Sequence, residues 1–286
     1  MDIIPNIICE GVGETHLAER ILPWTGQATQ WFAQNISPLD TARRDESLSA
    51  TADRIIDTYA LWLAAPALDV TMHPNGLAVV QTDNLAPASS DRSRAFRESL
   101  MRLLIEQLQT FIPRLSEIGE WRASHPARDI WYATTFHTPR QICEAALLPL
   151  QWDSIPQAVA RIRSAEEKHE ITVWSRPMLD YLRQFDPQPT AGPETPEGFV
   201  SNLHELMRGY IRNTARDIIR IDYPVSGDDP WLRVSLEMNL IDRRRKYVEL
   251  CKKYKGLTQP WHNSKTARLY NLPLFRNRKQ SPGYFF

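Results

Sequence analysis

Glu166, Glu167, His169 and Glu170 fall within five positions of one another, and carboxylates beside an imidazole are the donor set of many metal centres. A metal needs those donors to converge on one point, and four residues on one helix are more simply read as a solvated face. His204 and Glu205 carry the same reading. The seven histidines (16, 73, 125, 137, 169, 204 and 262) are scattered, and none forms HExxH. Cys9, Cys143 and Cys251 lie far apart without a CxxC pair, which argues against a zinc site and a disulfide framework. Gly11-Val12-Gly13 lacks the remainder of a GxGxxG loop, and neither GxxxxGK[ST] nor GxSxG occurs. No catalytic, cofactor-binding or metal site is therefore assigned, and the chain is expected not to be an enzyme.

Electrostatics offers a different kind of chemistry. The run Arg243-Arg244-Arg245-Lys246 is followed by Lys252, Lys253 and Lys255. From Arg243 to the end there are twelve Lys or Arg against one acid, Glu249, which leaves 22 basic and 33 acidic residues before it. The net charge of zero thus averages an acidic body and a basic end, and such an end suits nucleic acid or an acidic protein surface. Phosphate contact needs charge but no motif, so non-specific contact with DNA stays open. Residues 256–286 add aromatics to that charge. Trp261, Tyr270, Phe275, Tyr284, Phe285 and Phe286 are expected to anchor on a partner, with Arg276, Arg278 and Lys279 facing acidic surface. The expectation is an arm that reaches beyond its own subunit, so that deleting residues 260–286 leaves helicity and stability nearly intact.

The elements that must position these groups are mainly helical. Residues 1–44 are broken by Pro5, Gly11, Gly13, Pro23, Gly26 and Pro38 and read as an irregular N-terminal arm, with a short helix near Gln27–Asn35. Ile55, Ile56, Tyr59 and Leu63 predict a helix from Asp45 to Ala65, ended by Pro66. Phe96, Leu100, Leu103, Leu104, Leu108 and Phe111 predict another from Ser90 to Ile112, closed by Pro113. Between them, β-prone runs flank His73-Pro74-Asn75-Gly76, and Asn-Gly readily takes the positive φ angles of a tight turn. Leu68–Thr82 is therefore expected to be an antiparallel ribbon, with His73, Asn75 and Gly76 at a tip that touches a neighbouring subunit.

Shorter helices are expected over His125–Phe136 and Pro139–Leu148. A longer one, with Pro156 in its first turn, runs to Val173, and another spans Arg176–Phe185. Asp186–Gly198, DPQPTAGPETPEG, has four prolines and no large apolar residue and reads as a linker. Helices over Glu197–Arg220 and Pro230–Tyr254 follow, with Gly256 placed to cap the last. The expected organisation is an arm (1–44), a helical domain with an inserted β-hairpin (45–185, hairpin 68–82), a linker (186–198), a second helical part (199–255) and a basic-aromatic C-terminal arm (256–286). The fold class is mainly α, a bundle-like body with extended arms. The N-terminus has no basic-then-apolar leader and no window nears eighteen apolar residues, so neither a signal peptide nor a membrane span is expected.

The segment Leu61–Asp91 resembles an uncharacterised family of phages and prophages of gut bacteria. The likeness runs through Pro66, Leu68-Asp69, Asn75-Gly76, Val79-Val80, Asn84, Ala86-Pro87-Ala88-Ser89 and Asp91-Arg92, and the ending Gly283-Tyr284-Phe285-Phe286 is also similar. It covers roughly residues 51–136. Leu77 and Ala78 depart from it, standing where that family has a bulkier aromatic. The resemblance implies a virion structural protein, and by association a head–tail connector ring, twelvefold like the portal, with portal and tail proteins as neighbours. It implies no catalytic residue. A capsid-associated or tail-completion protein, and a nucleic-acid-binding or DNA-packaging factor, are the alternatives. An acidic body also suits a DNA conduit, because it does not retain passing phosphate. Synthesis in the host cytoplasm and residence at the head–tail interface of the virion are the expected locations.

Overall fold

The computed structural model describes residues 14–68, 71–73, 76–78, 90–185, 195–225 and 227–271. The chain divides into two compact units between Arg163 and Ser164. That division replaces the one expected at the proline-rich segment: residues 195–198 enter a helix, and residues 186–194 lie outside the described ones.

The first unit is built on three long helices. Helix α1 (Glu14–Asn35) occupies much of what the sequence suggests is an irregular arm, and Pro23 lies inside it. Ile21, Ala28, Trp31 and Phe32 recur at helical spacing, are buried, and face α3. Burial on that scale outweighs the roughly 3 kcal/mol that an internal proline costs. A single turn, α2 (Leu39–Ala42), precedes α3 (Glu46–Leu68), whose first amides are met by Asp45 accepting from Leu48 N–H at 2.8 Å. Helix α4 (Ser90–Ser116) packs on α3 through Leu100, Leu104, Leu108 and Phe111.

Both expected proline stops are crossed. Pro66 and Pro113 sit in last turns, and Leu115 beyond Pro113 is fully buried, which draws the chain onward as helix. Between α3 and α4, β1 (Thr71–His73) pairs antiparallel with β2 (Gly76–Ala78), setting His73 opposite Gly76 and Met72 opposite Leu77. Leu68, expected to open the ribbon, ends α3 instead, and the rest of the ribbon, Asn75 included, lies outside the described residues.

Two indoles close the end of α1. Trp121 Nε1 donates to the Ile36 carbonyl at 2.8 Å and Trp131 Nε1 to the Asn35 carbonyl at 3.0 Å. Both indoles donate to carbonyls left without a partner where a helix stops, so buried tryptophans serve as its C-terminal cap. Trp121 belongs to the short α5 (Gly119–Arg122) and Trp131 to a wide π turn (Ala127–Trp131). The helix expected over residues 125–136 is reduced to that turn because Trp131 and Phe136 both turn into the core. Helix α6 (Pro139–Ala145) stops short of Leu148 at Leu147, whose φ of 55° is incompatible with continuing the helix.

Helix α7 (Ile155–Glu167) runs across the division. In the second unit, the expected continuation to Val173 is a separate π turn (Glu170–Trp174). Helices α8 (Arg176–Gln184), α9 (Pro196–Asp222) and α10 (Pro230–Lys253) start at Ser175, Thr195 and Asp229, each accepting a first-turn amide. Gly256 does not cap α10; it lies in a 3-10 turn (Lys255–Leu257), after which come α11 (Gln259–His262) and α12 (Lys265–Tyr270). The core of this unit gathers Trp174, Leu179, Met207, Ile211, Tyr247 and Trp261.

Candidate functional site

The Glu166–Glu170 cluster is not a solvated face. Glu166 is wholly buried, and Arg183 meets its Oε2 from Nε at 3.0 Å and from a terminal nitrogen at 2.9 Å. Arg176 gathers the others, donating to Glu167, Glu170 and Asp180 at 3.0 Å each. The carboxylates therefore converge on guanidinium groups, and no set of three metal-ligating side chains forms among the described residues. His169 accepts from Arg244, and its imidazole is pushed down to about 4, first by burial and then by Arg244 and Lys168. It is a neutral acceptor holding α10.

His204 is also buried, with Nδ1 at 3.2 Å from Tyr181 Oη and Nε2 at 3.0 Å from the Leu257 carbonyl. A carbonyl accepts only, so Nε2 carries the proton and Nδ1 accepts from the tyrosine. Burial lowers its pKa, and the ring ties α8 and α9 to the C-terminal segment. Burial likewise pushes the Cys143 thiol up to about 11 and raises that of Cys251, leaving both as packing groups rather than nucleophiles. An open cleft of about 300 Å³ is lined by Phe185, Pro196, Glu197, Val200 and Ser201.

The basic run is engaged at home. Arg243 binds Asp217 and the Asn213 carbonyl, Arg244 binds His169, and Arg245 and Lys246 both bind Asp242. Helical spacing scatters these four cations, and acids meet three of them, which weakens the reading as a phosphate-binding stripe.

The C-terminal segment corrects a further expectation. Trp261, read as a docking anchor, is fully buried and donates to the Val173 carbonyl at 2.7 Å. Tyr270 Oη donates to the Thr172 carbonyl at 2.7 Å and Thr266 Oγ1 to that of Ile171 at 2.9 Å. Three consecutive carbonyls of the π turn are thus satisfied by side chains of residues 261–270, which belong to their own fold. Phe275, Arg276, Arg278, Lys279, Tyr284, Phe285 and Phe286 lie outside the described residues.

One surface feature is left bare by the described residues. On α10, Trp231, Val234, Met238 and Ile241 are 75, 49, 64 and 64% exposed. Leu240, Tyr247 and Cys251, on the other side of the helix, are buried. The spacing of the exposed four is legible in the sequence, but Leu232, Leu236 and Leu240 offer a second face of similar period, and one sequence does not say which of them the body covers.

No family model, curated protein or solved structure matches this chain. No helix among the described residues is long and apolar enough to cross a membrane.

Proposed function

We propose that this chain is a structural protein of a bacteriophage particle, a head–tail connector subunit that works by protein–protein contact rather than catalysis. The observation that carries the assembly part is the apolar row on α10. Monomeric proteins rarely leave four large apolar side chains contiguous in water, and such rows mark contact surfaces. The ionisable groups support the same reading, since the buried carboxylate, the buried histidine and the buried thiols are all tied into packing. The phage assignment, the ring with portal-matched symmetry and the portal and tail neighbours rest on the resemblance of residues 61–91 alone. In that ring, the β1–β2 hairpin with its tip near His73, Asn75 and Gly76 reaches the adjacent subunit, and residues 272–286 supply the remaining latch.

Purified particles labelled on this protein and viewed by negative stain test the assignment. Label at the vertex joining head and tail is expected; label over the capsid surface, at the tail tip, or absent from particles overturns the connector reading. Salt-dependent DNA binding by the free protein, with log K falling steeply against log salt, would favour a packaging factor instead.

A further inference from the structure

Helix α10 turns one side to α9 and leaves Trp231, Val234, Met238 and Ile241 on the other. Their intervals of three, four and three residues are those of a coiled-coil seam, in which two helices interlock side chains along one stripe. Together they leave on the order of 500 Å² in water, the size at which an apolar patch marks an interaction site. We infer that this seam pairs with the same seam of a second copy, the two α10 helices running antiparallel about a two-fold axis between Val234 and Met238.

Charge selects both the occupant and the direction. The seam is flanked by the exposed Arg233 and Glu237 and runs out at the exposed Arg245. A parallel pair sets Arg245 against Arg245 and Arg233 against Arg233. The antiparallel pair keeps the two Arg245 at opposite ends and sets Trp231 against the second copy's Ile241 and Val234 against its Met238. It also opposes the two helix dipoles. Arg233 and Glu237, an exposed ion pair at 3.1 Å within each helix, fall opposite each other across the axis and can exchange partners there. A nucleic acid would instead want cations alone beside the stripe.

This inference rests on the assembly reading and specifies one contact in it. A two-fold contact closes on itself, so it describes the free chain, and a ring needs a separate head-to-tail surface.

Light scattering coupled to size exclusion on the full chain, at tens of micromolar, should give twice the chain mass. Met238→Glu, at an exposed position, should halve that mass with helicity unchanged, while Asn239→Glu, exposed but off the seam, should leave it. Mixed Trp231→Cys and Ile241→Cys chains should oxidise to a covalent hetero-pair that neither forms alone. A monomeric wild-type chain, a Met238→Glu chain that stays paired, or cross-linking of Trp231→Cys with itself overturns the pairing. Particle labelling is unaffected by that failure, so the connector reading is judged separately.

Discussion

The indole N–H of Trp261 lies 2.7 Å from the carbonyl oxygen of Val173, 88 residues earlier in the chain, and both residues are buried. A side chain from the basic C-terminal stretch thereby helps complete the hydrogen bonding of a π turn in which Ser175 N–H meets the Glu170 carbonyl and side chains meet those of Ile171, Thr172 and Val173. What looks like a latch for a neighbour is, as far as Tyr270, part of the second unit's own core.

Trp261→Ala should therefore destabilise the protein by about 3–5 kcal/mol, through the cavity and the carbonyl left unbonded. Truncation before residue 260 should unfold the second unit, whereas truncation after Asn271 should leave the chemical-denaturation midpoint nearly unchanged. Equal stability of the two truncations would show that residues 260–271 contribute nothing to the fold.

Removing one member of the buried Glu166–Arg183 pair should cost about 3–5 kcal/mol, because the survivor remains charged and buried. Replacing both by apolar residues of similar volume should cost far less. Urea denaturation of Glu166→Gln, Arg183→Met and the double variant measures this, and a double variant that simply sums the two losses would deny the coupling.

His169 is held neutral, with its folded pKa near 4 against an ordinary 6.5. A depressed histidine contributes stability that is fully present above 6.5 and is lost as pH falls toward 4. Partial exposure reduces the effect to about 1–2 kcal/mol. Melting temperatures from pH 8 to 4 should fall less for His169→Gln than for the wild type, and parallel curves would contradict the assignment.

Asp57 shows the opposite sign. Burial first, then Asp53, raises its carboxyl from 3.8 to about 7, so its favourable contribution is present below 3.8 and is lost as pH rises through 7. Asp57→Asn should stabilise the protein by about 1 kcal/mol at pH 8, after allowance for its half-exposed position, and by nothing at pH 3.5. Thermal melts at the two pH values check it; equal gains at both would point to packing instead.

Long amphipathic periods carried most of the legible fold. Helices α4, α9 and α10 begin within a residue of the expected Ser90, Glu197 and Pro230. The errors arose where tertiary burial overrides local chemistry. Phe32 and Trp31 hold α1 helical through Pro23, and Leu115 draws α4 past Pro113. The charged cluster at residues 166–170 looked solvated because its partner, Arg183, is separated by the π turn and most of α8. The α10 seam stayed hidden because the helix is apolar on two sides, and only packing distinguishes the covered side from the bare one.

Native mass spectrometry of the full chain, alone and mixed with a purified phage portal protein, tests the assembly claim most directly. The account predicts a small homo-oligomer alone and a closed complex with portal-matched copy number in the mixture. A chain that stays monomeric alone and unbound in the presence of portal would contradict it.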